Sequence, residues 1–400
     1  MINEANKESI NQANISKILE CHECALEVTI PQLREGQKAQ CPRCGFIITA
    51  MHFNSIERIL AFSITALIFL LASLPFDFLS FQSNGLENKF SIISSFNVLI
   101  ESHYTVLAIL QLFTIFIIPT TLLVLLIILL VPLRKGRYPN KGHGLLKIIF
   151  KLMPWCMVEI FLVGALVSLV KIIGIADVQL GPSFYAFIFF SMSMTSALLH
   201  VDKVCLTELL RLVDVKTLKK INIHDKTLTN KRLSIQTTWA LIITSVVLYI
   251  PANLLPIMNT RLFGQDDPST ILGGVILLWG MGSYPIALII FIASVAVPVT
   301  KILALAWLNY SVQSERTNMT TERIKLYRIA EFVGRWSMVD VFVVIILASL
   351  IQLGNTISIV PGSATIAFSG VVIVTMLAAM SFEPHLIWKH SKNYDKQNEQ

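Results

Sequence analysis

Four cysteines near the N-terminus have the types and spacing to do chemistry. Cys21-x-x-Cys24 is followed, after sixteen residues, by Cys41-Pro42-Arg43-Cys44-Gly45. Two such knuckles about 15–20 residues apart supply four thiolates for tetrahedral Zn²⁺ at about 2.3 Å. Between them Leu26-Glu27-Val28-Thr29-Ile30 alternates like a short strand, and Gly36 suits a turn. A unit this short cannot bury enough apolar surface to fold unaided, so metal ligation has to supply the free energy. The spacing predicts a zinc ribbon over residues 1–50 holding one structural Zn²⁺. With four protein ligands, no open position remains for catalysis. A redox dithiol pair and an iron–sulfur site are the competing readings of the same cysteines.

A second set of candidates consists of charges within apolar stretches, where each costs several kcal/mol and marks function by default. Lys171 lies near the end of its stretch and can snorkel to the interface. Lys301 follows Pro298-Val299-Thr300, well inside another. Glu331 and Arg335 are spaced i,i+4 and can pair on one helix face. Asp340 lies five residues deeper. The expectation is a polar network of Lys301 and Asp340, with Thr300 and Ser337 as neighbours, that takes up and releases protons. The alternative is a static buried ion pair that fixes helix register.

The elements that position these groups follow from composition. Of 400 residues, 54% are hydrophobic and 14% charged, against about 25% charged in soluble domains, and mean hydropathy is +0.68. That excludes an ordinary water-soluble enzyme. The net charge of +7 would suit nucleic acid only if the basic residues shared one face, and here they cluster between apolar runs. A bilayer-crossing helix needs about 20 apolar residues. Eight stretches qualify, near 57–79, 98–132, 150–174, 184–201, 235–258, 275–311, 326–353 and 365–388. Pro119 and Pro298 are expected to kink the second and sixth. The flanking segments 90–99 and 268–280 are read as interfacial or re-entrant.

Loop charges orient the spans. Six Lys and Arg precede or open the first span, six occupy 133–151 and eight occupy 202–232. Four more follow the sixth span and three the eighth, whereas the opposite loops hold only Lys89 and Arg261. The positive-inside asymmetry predicts both termini and the ribbon in the cytoplasm. The first 50 residues lack an apolar h-region, so no cleaved signal is expected. Trp155, Trp336 and Trp388 fall near cytoplasmic span ends and read as interfacial belt residues.

The chain also repeats itself at an offset of about 181 residues. Trp155-Cys156-Met157-Val158-Glu159-Ile160-Phe161 matches Trp336-Ser337-Met338-Val339-Asp340-Val341-Phe342, so Glu159 is the counterpart of Asp340. Ile118-Pro119 matches Val297-Pro298, and Gly181 matches Gly362. Each half carries four spans, an even number, so the halves run parallel. The fold class expected is an all-α polytopic membrane protein of two tandem four-helix modules with a small β ribbon. Its divisions are ribbon 1–50, modules 51–201 and 233–390, a linker 202–232 and a tail 391–400. The offset places Asp202, Cys205, Asn222 and Asp225 where a second ribbon would have its cysteines. One thiol with oxygen groups is a poor zinc set, so the linker reads as a metal-free relic, with His224 nearby.

Together the ribbon, the duplicated spans, Gly334-Arg335-Trp336-Ser337-Met338-Val339-Asp340-Val341-Phe342, and Thr375-Met376-Leu377-Ala378-Ala379-Met380 with Phe382-Glu383-Pro384 resemble the paraquat-inducible protein A (PqiA/LetA) family. The resemblance implies an inner-membrane protein of Gram-negative bacteria. It further implies a periplasmic mammalian cell entry (MCE) family partner whose tunnel carries phospholipid between membranes. Members often carry two complete ribbons, and this chain departs from that pattern. The chain has no GxxxxGK[ST], no GxSxG and no HExxH, so neither a built-in ATPase nor a hydrolase is expected. Besides lipid transport, a proton-coupled small-molecule exporter and a thiol-based membrane oxidoreductase are the alternatives.

Overall fold

The structure is a computed structural model, described for residues 17–21, 23–30, 36–50, 55–83, 86–139, 141–173, 177–213, 231–262, 265–280, 282, 284–314, 320–350 and 357–388. Two hairpins form the ribbon. Strand β1 (Lys17–Glu20) pairs antiparallel with β2 (Glu27–Ile30), and β3 (Lys38–Gln40) pairs with β4 (Ile47–Ala50) across an irregularity at Ala39/Gln40.

The first module opens with α1 (Ser55–Ala72), whose 18 residues span about 27 Å at ~1.5 Å each. A hairpin of β5 (Leu79–Ser83) and β6 (Leu86–Phe90) follows, then the short α2 (Ile92–Glu101) and the long α3 (Thr105–Arg134). Next come α4 (Gly142–Leu152), α5 (Val158–Ile173), β7 (Asp177–Leu180) and α6 (Pro182–Leu199). Helix α7 (Lys203–Val213) links the modules.

The second module repeats the order: α8 (Lys231–Leu254), β8 (Met258–Leu262), β9 (Gln265–Ser269) and α9 (Ile271–Gly280). Helix α10 runs as Tyr284–Phe291, a π turn at Ile292–Ala296, and Val297–Gln313. Then follow α11 (Thr320–Trp336), α12 (Val339–Leu350), β10 (Ile357–Pro361) and α13 (Ser363–Ser381).

Among the described residues eight helical segments are long and apolar enough to cross a membrane, and the chain is a polytopic α-helical membrane protein. Ile68, Met192, Val247 and Leu303 are at least 60% exposed, as side chains facing acyl chains rather than water would be.

Three features depart from the sequence expectation. First, each module closes at the end away from the ribbon with a three-stranded antiparallel sheet, ordered β6-β5-β7 and β9-β8-β10. Gly181 and Gly362 turn the last strand into the last helix. A Cβ there would meet Asp77 O at 1.9 Å and Pro256 O at 2.0 Å, so the repeated glycine is a steric requirement.

Second, the kinks expected at Pro119 and Pro298 are π turns, at Leu112–Ile117 and Ile292–Ala296. Proline has no N–H and its ring crowds the carbonyl one turn back, so the preceding turn widens. Third, the spans expected at 150–174 and 326–353 are each broken. Met153–Trp155 forms a 3₁₀ turn before α5, and residues 337–338 interrupt α11 and α12. The repeated Trp-x-Met motif is this break.

The modules join along α5 and α12. Phe161 and Phe342, equivalent in the repeat, meet edge to face with centroids 5.6 Å apart, so the two parallel modules face one another through the same helix. Around Phe161 the first module packs Phe78, Phe90, Phe184, Phe187 and Phe190, all at most 3% exposed.

Candidate functional site

In the ribbon, Cys21 and Cys44 Sγ lie 3.6 Å apart and Cys24 and Cys41 Sγ 3.4 Å, with all four sulfurs within 4.8 Å. Thiolates around Zn²⁺ at about 2.3 Å stand about 3.8 Å from each other, so the cluster fits one tetrahedral ion. Each knuckle closes the same way: Ala25 N donates to Cys21 O at 2.8 Å and Gly45 N to Cys41 O at 2.9 Å. Both closing residues take positive φ, 53° and 69°. Burial pushes the Cys24 thiol up, and Cys44 to about 12. Burial also acts on Cys41, but the backbone N–H groups of Cys44 and Arg43 outweigh it and hold that thiol below its usual value. Burial disfavours isolated thiolates here, so protons compete for Cys24 and Cys44 with any cation that would neutralise the sulfurs together. When bound, such an ion supplies folding free energy.

The ribbon packs on the second module although it precedes the first. Arg328 of α11 donates from Nε to both carboxylate oxygens of buried Glu23, at 3.1 and 3.0 Å, and its Nη2 donates to Glu23 and, at 3.0 Å, to Cys44 O. Arg43 lies 4.3 Å over the ring of Trp388. Trp388 is therefore buried beneath the ribbon rather than placed in an interfacial belt. The ribbon also touches the end of the first module, where Thr49 Oγ1 donates to Asp202 Oδ2 at 2.7 Å. Asp202 caps α7 by accepting from Val204 N at 2.8 Å. The linker thus opens as a helix that buries Leu206 and Leu210. Asn222, His224 and Asp225 lie outside the described residues.

The membrane charges fall into separate groups. Lys301 is 3% exposed, and its Nζ donates to Thr375 Oγ1 at 2.9 Å. Asp340 Oδ2 accepts from Ser294 Oγ at 2.6 Å, and Ser294 sits in the π turn. No ion pair joins Lys301 to Asp340 among the described residues, which speaks against the static-pair alternative; each meets a hydroxyl instead. Ser337 is buried and its hydroxyl lacks a hydrogen-bond partner among the described residues. Thr300 is exposed, unlike the adjacent Lys301. Glu159 accepts from Thr195 Oγ1. Lys171 lies in α5, and its side chain falls outside the described residues.

Glu331 and Arg335 are both exposed and form no ion pair with each other among the described residues. A solvated pair gains too little to order two long side chains. Ser294 and Thr375 are the partners that sequence reasoning missed as site residues. The proline that creates the π turn was visible, but which hydroxyl that turn would aim inward was not.

Acidic Asp340 and Glu159 each occupy the first turn of a half-helix, and Arg335 the last turn of another. Those are the ends whose dipoles favour them. The breaks open two spaces between the modules on the ribbon side, of about 290 and 280 Å³. Cys156 lines the first.

This combination of duplicated spans, broken helices and a four-thiol ribbon defines a multi-pass membrane protein built from two copies of one module. The family model for paraquat-inducible protein A matches it twice, over residues 56–207 and 235–392, and the chain belongs to that family. It is 34% identical to the intermembrane transport protein PqiA of Escherichia coli (strain K12), over 93% of this chain and 96% of that protein. It is 27% identical to a probable intermembrane transport protein of Haemophilus influenzae, over 93% and 96%. It is 26% identical to the lipophilic envelope-spanning tunnel protein A of E. coli K12, over 92% and 90%. No solved structure matches significantly.

Proposed function

We propose that this chain is a non-enzymatic inner-membrane component of an intermembrane phospholipid transport system in a Gram-negative envelope. In this reading both termini and the ribbon are cytoplasmic, as the basic loops indicate, and the ribbon holds one structural Zn²⁺. The sheet side then faces the periplasm, where an MCE-family protein forms the tunnel. The names of the relatives support intermembrane transport.

The observation that carries the reading furthest is Lys301. A lysine 3% exposed within a span, bonded to a single threonine, is costly unless its charge is used. Lys301–Thr375 and Asp340–Ser294 give the second module two sites able to hold a proton at Nζ and at Oδ2. Loading and unloading them would bias the broken helix α11–α12 between arrangements while lipid passes. With no nucleotide motif in the chain, the driving force is an ion gradient or a partner protein.

The test is lipid transfer from vesicles containing the full chain to an isolated MCE partner, with and without a proton gradient. Gradient-dependent transfer and co-purification of partner and phospholipid are expected. Purification with neither, together with gradient-driven export of a soluble solute, would overturn the reading in favour of a small-molecule exporter.

A further inference from the structure

The two spaces between the modules are parts of one groove, because Met153 and Arg335 line both. The groove is formed where both discontinuous helices break, an arrangement that in membrane transporters serves to expose half-helix ends to a ligand. Its charges are balanced. Lys301 and Arg335 supply two cations, Glu159 and Glu331 two carboxylates.

Lys301 carries three N–H donors, and among the described residues only Thr375 takes one. Its position is enforced from behind: a Cβ on Gly334 would come 2.6 Å from Nζ, so the lysine lies flat against α11 with its ammonium at the wall of the groove. A buried ammonium in such a setting calls for an anion. Arg335 forms no ion pair with Glu331, so its fork of donors is open to the same anion.

The remaining walls are apolar and pliable. Met153, Met194, Met376 and Met380 line the groove, and thioether chains adapt to irregular ligands. The volume suits a polar headgroup and is too small for two acyl chains besides. Leu199 is 77% and Phe332 57% exposed at the rim, which gives the chains an apolar exit sideways into the bilayer.

We propose that this groove seats the headgroup of a zwitterionic glycerophospholipid drawn from the ribbon-side leaflet. Its phosphate lies between Lys301 and Arg335, and its ammonium against Glu331 and Glu159. The inference rests on the lipid-transport reading and adds the substrate class and the residues that choose it.

The experiment uses the full zinc-loaded chain in nanodiscs and quantifies retained lipid from equimolar phosphatidylethanolamine and phosphatidylglycerol by mass spectrometry. It needs neither partner nor gradient, so it can fail while transfer succeeds, and the reverse. The wild type retains phosphatidylethanolamine in preference. Arg335→Gln lowers total retention about tenfold, the loss of charge-assisted bonds to phosphate. The Glu159→Gln/Glu331→Gln double variant keeps retention but loses the preference. Unchanged metal content and elution volume show that the variants are folded. Inorganic phosphate at 10 mM, roughly the concentration at which a millimolar-affinity anion site would saturate, leaves the lipid bound. Its displacement by phosphate would identify a free-anion site and overturn the proposal. Equal retention by Arg335→Gln, or an unaltered preference in the double variant, would also overturn it.

Discussion

The two modules share one chain path and differ in what that path encloses. Where the second module buries Lys301, the first has Leu122, 0% exposed. Where the second has Ser294 and Thr375, the first has Ile115 and Met194. The first is filled instead by phenylalanines around Phe78, from Phe184 at 5.2 Å to Phe161 at 6.0 Å. The first copy's buried polar side chains are uncharged, as in the Gln111–Ser95 pair, whereas the second buries the charge of Lys301. Duplication makes this division affordable, since the first copy supplies apolar burial that offsets desolvated groups next door. Glu159 marks the limit of the contrast: the first module keeps the acid at its helix break, and gives it Thr195 in place of a π-turn serine.

Matched substitutions test that division most severely. Lys301→Met and Asp340→Asn should each abolish lipid transfer while leaving protein abundance normal. Leu122→Met, at the equivalent site, should leave transfer near wild type, since volume-conserving swaps cost under about 1.5 kcal/mol. Equal loss in both modules, measured as transfer rate per folded chain, would erase the functional asymmetry.

The ribbon and its degraded counterpart come next. Cys44→Ser should lower bound zinc from one per chain to none by elemental analysis, whereas Cys205→Ser should leave it at one. Because burial raises Cys24 and Cys44, protons compete for those sulfurs. Metal retention in the presence of chelator should therefore fall as pH falls and improve as it rises.

Where the modules are alike, they should fail alike. Gly181→Ala and Gly362→Ala force a Cβ into backbone and should each cost about 3 kcal/mol, read as a matched fall in Tm. Arg328→Ala should cost less than either glycine substitution. It leaves Glu23 buried without its partner, but Arg328 is about a third exposed, so the cost is about 2 kcal/mol. Faster hydrogen exchange confined to the ribbon would be its signature, while exchange in α1 and α6 should not change.

Much of this molecule is legible in its sequence because membranes impose simple rules. Eight spans follow from apolar length, and the ribbon from Cys-x-x-Cys spacing. The duplication was legible in Trp155–Phe161 against Trp336–Phe342. The two sheets were not, since Leu79–Phe90 and Met258–Ser269 are short and mixed in polarity, and strand pairing depends on partners distant in sequence. Nor was the second module's helix break: Trp336-Ser337-Met338 contains neither proline nor glycine, unlike Met153-Pro154-Trp155 in the first.

The sequence by itself determined the four-cysteine spacing, the number of helices long and apolar enough to cross a membrane, and the positions of the charges within them. Each of those depends on residue type and spacing along one chain. Only the tertiary structure decided that the ribbon sits on the second module, that Lys301 and Asp340 go to Thr375 and Ser294 rather than to each other, and that Arg335 opens into a groove instead of closing on Glu331. Those outcomes turn on distances between segments up to 305 residues apart, such as Glu23 and Arg328. Desolvation and hydrogen-bond geometry at such contacts are properties of packing, which local pattern does not specify.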